Sequence, residues 1–192
     1  MLNAIKRKKQ GVLTMTAAIG LLIAMFLLAA LVDLMIMGNR YMSLHDTTKE
    51  LARTIAVQGG SLTTKPEGYP NNYYDTVMLS KLVDNSMKIG GFRDQDYKVT
   101  ITYTKYETDP GTGRVTNDYS YKRTFIDYTG GAQVITPTDK IDYLNDFTVT
   151  IEAQYNWAFS KYIFGQRPAY LKASAPGVSE WKYDYDRWDS ET

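Results

Sequence analysis

The residues in this sequence that could perform acid–base or metal chemistry form no recognisable catalytic or metal-binding motif. There is one histidine, His45, and there is no cysteine. The missing thiols exclude cysteine catalysis, zinc-thiolate sites, disulfides and a lipidated cysteine anchor. A catalytic site based on histidine would have to use His45, which lies among residues expected on a helix surface. Glu152 alternates outward among threonines with no acidic partner nearby in sequence. The sequence therefore predicts no enzyme, no catalytic residue and no cofactor.

Two acidic runs are the candidates for calcium binding: FRDQD, with Asp94 and Asp96, and the C-terminal tail, with Asp184, Asp186 and Asp189. Neither run has the ligand spacing and central glycine of an EF-hand loop, so we expect solvated acidic loops and predict no metal site. The GTG at 111–113 resembles a phosphate-binding loop but lacks the lysine of that motif.

The N-terminal part of the chain has the length and composition of a transmembrane helix. Val12 to Val32 is 21 residues without a charge, enough to cross about 30 Å of hydrocarbon. A secretory signal has a shorter apolar run followed by a small-x-small cleavage site, whereas here the run continues through Asp33 to Met37. We predict a transmembrane helix over 12–37, with Asp33 at its outer interface; a functional carboxylate within the membrane is the alternative.

Charge predicts the orientation of this helix and excludes one class of partner. Lys6, Arg7, Lys8 and Lys9 lie in the basic segment 1–11, which should stay in the cytoplasm and direct the rest of the chain outward. They are four of 22 basic residues, so the remainder has 18 basic against 21 acidic residues. Without a dense basic face we expect no nucleic-acid binding. No small-molecule substrate is expected either.

The helix should continue beyond the membrane as an amphipathic stem over 38–60. Apolar residues recur there at steps of three and four, and Gly59-Gly60 is a typical helix end. The candidates for stem packing are Tyr41, Leu44, Leu51 and Ile55. They could pack on the protein's own domain or on neighbouring stems in a filament, and the pattern leaves both open.

The rest of the sequence predicts an α+β domain over 73–180, after a linker at 61–72. A second helix is expected from 73 to 88, with an apolar face of Tyr74, Met78, Leu82, Leu79, Val83 and Met87. About four antiparallel strands follow, because YKVTITYTK and FTVTIEAQYNW alternate with a period of two. DPGTGR is a turn into a strand at 119–128, residues 129–146 are a long connection, and the last strand spans 170–175.

Aromatic residues are unusually frequent in the exported part, since the chain contains 16 tyrosines. Aromatic side chains are favoured at protein contacts, although packing on the domain's own sheet is the alternative. The residues concerned are Tyr119 and Tyr121, with Trp181, Tyr183, Tyr185 and Trp188 in the acidic tail at 181–192.

The basic leader ending in glycine, the apolar helix and its amphipathic continuation resemble the type IV prepilin pattern. The C-terminal third is similar to TadE-like proteins, minor pseudopilins of the tight-adherence (Flp, type IVc) pilus machinery. The matching pieces are the alternating strand at 149–155, Leu171-Lys172-Ala173-Ser174-Ala175 and Glu180. The resemblance covers residues 6–58 and 147–180, and the middle only in general layout.

The resemblance implies prepilin-peptidase cleavage between Gly11 and Val12. It also implies a glutamate at position five of the mature chain for subunit docking, but here that position is Thr16. The expected function is that of a structural, pilin-like minor component of a pilus or related secretion apparatus, with other pilin-like subunits or assembly proteins as partners. The alternative is an unprocessed single-pass membrane protein whose exported domain binds a partner, for example in a conjugation or envelope complex.

Overall fold

The computed structural model describes residues 2–65, 69, 72–93, 96–109, 111–112, 114–159, 161–165 and 167–180. Helix α1 spans Leu2–Gln58, helix α2 spans Thr76–Ile89 and the short helix α3 spans Lys161–Phe164. The strands are β1 (Tyr97–Thr108), β2 (Val115–Thr129), β3 (Ala132–Ile135), β4 (Asp146–Tyr155) and β5 (Ala169–Val178). They form one antiparallel sheet in the order β3-β2-β1-β4-β5. The predicted α+β class, with a long N-terminal helix, is confirmed.

The chain divides into two units, and one continuous helix contributes to both. The first unit comprises Met1–Asn39 and Asn156–Pro168, and the second comprises Arg40–Tyr155 and Ala169–Thr192. The segment 156–168 connects β4 to β5 and contains α3. The sequence placed this segment in the exported domain, whereas here it belongs to the unit of the apolar helix.

Glycines follow both long helices, at the predicted Gly59-Gly60 for α1 and at Gly90-Gly91 for α2. Gly59 has a φ of 69°, and its amide donates to the carbonyl of Ile55, as does that of Gly60. At the end of α2, the amide of Phe92 donates to the carbonyl of Met87, with Gly91 at a φ of 85°. Both arrangements satisfy carbonyls of the last helical turn, and the left-handed conformation favours glycine.

Helix α2 starts later than predicted, and only half of its expected apolar face is buried. Asp75 caps it by accepting a hydrogen bond from the amide of Met78. Leu79, Val83 and Met87 are buried, and Leu82 is half-buried. The prediction was wrong for Tyr74 and Met78, which are 43% and 55% exposed. Tyr74 precedes the helix, and Met78 lies outside the buried row formed by Leu79, Val83 and Met87.

The core of the second unit joins α1, α2 and one face of the sheet. Tyr97, Val99, Ile101 and Tyr103 of β1 are buried, as are the matching alternate residues of β4, Phe147 to Tyr155. In β2 a bulge opposite Val99 and Thr100 allows the consecutive residues Phe125 and Ile126 both to be buried. The predicted alternation is thus confirmed, with the core on one face.

The sheet has five strands rather than four, because part of the predicted connection at 129–146 is β3. Gly130 and Gly131 both have positive φ, 62° and 80°, and form a two-residue hairpin turn between β2 and β3. The four residues of β3 are mostly exposed and show no alternation. Pairing with β2 makes this segment a strand, which explains why periodicity did not reveal it.

Candidate membrane anchor and interaction surfaces

The N-terminal part of α1 presents apolar side chains around its circumference. Its most apolar stretch has a mean hydropathy of 2.7, and 6% of that stretch is buried. A soluble protein rarely exposes so continuous an apolar surface. By length and composition, α1 can therefore span a membrane. The exposed large side chains are Val12, Met15, Ile19, Leu21, Leu22, Ile23, Met25, Phe26, Leu27, Leu28, Leu31, Leu34 and Met35.

The predicted processing region lies within this helix. The backbone is helical through Gly11 and Val12. Thr16 is exposed, and its hydroxyl donates to the carbonyl of Val12 at 2.9 Å. The side chain at the pilin-type position five therefore bonds to its own helix, one turn back, as threonine often does in a helix. Cleavage at Gly11-Val12 stays a prediction.

Asp33, expected at the outer interface of the membrane helix, is fully buried within the protein. Its exposed fraction is 0%. Its Oδ1 accepts hydrogen bonds from the amides of Ala158 and Phe159, both at 3.0 Å, and its Oδ2 lies 3.2 Å from the Phe159 amide. Burying a carboxylate is unfavourable unless hydrogen bonds replace its water. The β4–β5 segment supplies those bonds, so Asp33 attaches the segment to α1.

The amphipathic stem packs within the chain. Leu44, Leu51 and Ile55 are 0% exposed and belong to the core of the second unit. Each buried side chain of this size contributes about 1.5–3 kcal/mol of transfer free energy. Of the four stem-packing candidates only Tyr41 remains accessible, at 45% exposure, with its ring stacked on His45 at 6.4 Å between centroids. Of the two partners that the sequence left open for the stem, these contacts are with the protein's own domain.

A surface of tyrosines extends the core-facing side of the β1–β2 hairpin. β1 pairs with β4 only as far as Tyr103, whereas its pairing with β2 continues to Thr108. On this side Tyr121 stacks on Tyr103 at 5.9 Å, and Tyr119 meets Tyr121 edge to face at 6.4 Å. Tyr119 and Tyr121 are 43% and 37% exposed. We call the exposed rings of Tyr119 and Tyr121, which rest on the buried Tyr103, the tyrosine surface, and it is a candidate protein contact.

Tyr103 anchors this surface through a polar contact. Its hydroxyl donates to the Asp139 carboxylate at 2.9 Å, and Arg123 lies 3.7 Å from the same carboxylate. Burial, and then the hydrogen bond to Asp139, raise the pKa of Tyr103 to about 12. The ring is therefore neutral and held in one orientation at physiological pH.

The opposite face of the sheet is polar. Lys172 pairs with Glu152 at 2.9 Å, and Lys98 lies 3.6 Å from Asp127. The hydrogen bond from Lys172 lowers the pKa of Glu152 below its ordinary value. Glu152 thus has a cross-strand cation as its neighbour, which keeps it ionised and suits it poorly to general-acid chemistry.

Some of the calcium and phosphate-loop candidates belong to the described residues, and these form hydrogen bonds with turns. Asp96 accepts a hydrogen bond from the amide of Gly130, and Asp109 accepts one from the amide of Gly111. The Gly111 bond lowers the pKa of Asp109. Asp94, Gly113 and the tail at 181–192, with its aromatic and acidic candidates, lie outside the described residues. Within the described ranges, no three histidine or acidic side chains converge as a metal site would require.

Sequence reasoning did not identify the contact between Asp33 and the β4–β5 segment. An ionisable residue in an apolar run signals a missing partner. The partners here are backbone amides 125 and 126 residues away, which have no side-chain signature.

Comparison with family models, with curated proteins and with solved structures gave no match to this chain.

Proposed function

We propose that this protein is a membrane-anchored, pilin-like structural subunit, a TadE-like minor component of a type IVc pilus or related secretion apparatus. Its N-terminal helix anchors it in the cell membrane with the basic end in the cytoplasm, and its α+β domain lies outside. From there it joins other pilin-like subunits or assembly proteins in a surface filament or its base.

The observation that carries the proposal is the change along α1 from exposed apolar side chains to side chains buried in the domain core. Most of the described apolar side chains from Val12 to Met35 are exposed, whereas Leu44, Leu51 and Ile55 are buried in the core formed with the antiparallel sheet. One helix thus provides both a lipid-soluble surface and the spine of a folded domain. A pilin-like subunit needs both, because its stem must reside in the membrane before assembly and then pack among other stems.

The N-terminal residue of the purified protein tests processing. Under the proposal, mass spectrometry finds a chain beginning at Val12, and replacing Gly11 with isoleucine blocks cleavage by placing a branched side chain before the scissile bond. Gly20→Ile is the matched control, because a Cβ at Gly20 meets no atom within 4 Å. An intact segment 1–11 in the native host would contradict prepilin processing.

A second candidate is an unprocessed single-pass protein whose domain binds a partner in a conjugation or envelope complex. Two observations favour it. The Thr16 hydroxyl bonds to its own helix rather than offering the carboxylate expected for pilin docking. The exposed rings of Tyr119 and Tyr121 also provide a contact surface that does not involve the stem.

Gly20→Ile also separates the two functions. Shortening the stem between Tyr41 and Ile55 would be unsuitable, because it removes core residues and would unfold the domain. A Cβ at position 20 meets no atom of the chain within 4 Å, whereas the branched side chain of isoleucine should block close approach of another helix. The pilin-like function predicts loss of co-purification with filament subunits. The alternative function predicts that Gly20→Ile leaves binding of the partner unchanged. It predicts that the double variant Tyr119→Ala with Tyr121→Ala loses that binding.

A further inference from the structure

The segment between β4 and β5 combines exposed aromatic rings with basic side chains. Its sequence from Trp157 to Phe164 is WAFSKYIF. Phe159 is 48% exposed and Tyr162 is 81% exposed, a large value for an aromatic ring. The ammonium group of Lys161 lies 5.0 Å from the Tyr162 ring centroid, and Arg167 is also exposed. Aromatic rings beside Lys and Arg are typical of the membrane–water interface.

The attachment to Asp33 determines where this segment lies along α1. Asp33 is 21 residues beyond Val12, a distance of about 31 Å along a helix. The hydrocarbon core of a bilayer is about 30 Å thick. A bilayer that begins near Val12 therefore ends near Asp33, whose carboxylate is 3.0 Å from the amides of Ala158 and Phe159. The exposed rings start at this level.

The neighbouring surface of α1 is also apolar at this level. Leu31, Leu34 and Met35 are 60%, 52% and 71% exposed, while Asp33 between them is fully buried. The carboxylate is thus on the side of the helix that the segment covers, and the leucines lie on other sides. Exposed apolar side chains of α1 and exposed aromatic rings of the segment therefore lie at the same level of the helix, that of Asp33.

The geometry points to a second membrane contact: the segment 156–168 docks on the outer leaflet and places Phe159 and Tyr162 at the boundary between headgroups and acyl chains. Lys161 and Arg167 lie at headgroup level, where anionic phosphates attract them. Asp33 is the positioning residue, since it holds the segment at the depth of the interface. This inference rests on the proposed insertion of α1 into the membrane.

Spin labels on single cysteines test this depth directly, because the chain contains no native cysteine. Full-length Tyr162→Cys is labelled and reconstituted at low protein density in vesicles of phosphatidylcholine and phosphatidylglycerol. Collisions with oxygen report the lipid phase, and collisions with a water-soluble nickel chelate report water. Tyr170→Cys is the matched control, since Tyr170 is 72% exposed and lies on β5 of the α+β domain, which the proposed function puts in water. Leu22→Cys reports whether α1 is inserted.

We expect Leu22 to be lipid-exposed and Tyr162 to collide with the nickel chelate several-fold less often than Tyr170, with increased oxygen contact. Closely similar nickel collision rates at 162 and 170, with Leu22 in lipid, would overturn the interfacial contact and leave the anchor intact. Nickel access at Leu22 would overturn the proposed anchor and the contact together. Protection of Tyr162 without oxygen contact would indicate cover by protein and would also overturn the inference.

Discussion

Replacing Asp33 with alanine should release the segment 156–168 from α1. The substitution removes a buried carboxylate that accepts hydrogen bonds from the amides of Ala158 and Phe159. Alanine is a better helix former than aspartate, and it is more apolar. Helix α1 and its insertion should therefore be unimpaired, so that the effect is confined to the attached segment.

The size of the effect follows from the two amides that lose their acceptor. An unsatisfied buried donor costs about 1–3 kcal/mol, so the free energy of holding the segment in place should fall by about 2 kcal/mol or more. The equilibrium constant for opening of the segment should therefore rise about 30-fold, since 1.4 kcal/mol is a factor of ten. Asp33→Asn should have a smaller effect, because both amides contact Oδ1 at 3.0 Å and an amide oxygen can replace it.

Hydrogen exchange measured by mass spectrometry on the full-length protein in lipid nanodiscs checks this prediction. Peptides covering 156–168 should exchange faster in Asp33→Ala, less so in Asp33→Asn, and peptides from β1 should be unchanged. Asp46→Ala is the matched control, because Asp46 is an exposed carboxylate on the same helix. Equal exchange of 156–168 in the Asp33→Ala and Asp46→Ala proteins would refute the attachment.

Three further predictions concern the α+β domain. Leu51→Ala should lower the free energy of unfolding by about 2–5 kcal/mol because it leaves a cavity in the core, whereas Met42→Ala, at a side chain 66% exposed, should change it by under about 0.5 kcal/mol in chemical denaturation. Tyr103 should ionise at a pH of about 12 rather than 10.0, because it is buried. Its contribution to the stability of the folded domain is therefore complete below pH 10.0 and is lost as the pH rises through about 12. A tyrosinate absorbance titration that shows no difference between wild type and Tyr103→Phe in this range would contradict the prediction. Gly177→Ala should destabilise the domain by about 1–3 kcal/mol, because the new Cβ would overlap the Cζ of Phe147 and lie 2.9 Å from both Cε atoms of that ring. An unchanged melting temperature would show that the ring moves aside freely.

The sequence by itself determined the features that depend on local pattern. Alternation in β1 and β4 marked the buried residues, such as Val99 and Ile151, because successive side chains of a strand face opposite sides. Gly59 marked the end of α1, since only a left-handed residue closes its last turn in this way. The apolar run after Gly11 identified a helix able to span a membrane, because hydrophobic length alone meets that requirement.

Other features required the tertiary structure. The four residues of β3 have no pattern of their own and become a strand only by pairing with β2. The stripe of Leu44, Leu51 and Ile55 would suit a neighbouring stem or the protein's own sheet, and only the fold places it on the sheet.

Asp33 shows the limit most clearly. Its distance along the helix was readable from the sequence, but its burial was not, because the bonds that offset desolvation come from backbone amides 125 and 126 residues away. Every residue except proline carries such an amide. The identity of the partners is therefore set by where the chain folds and leaves no mark on the residue types.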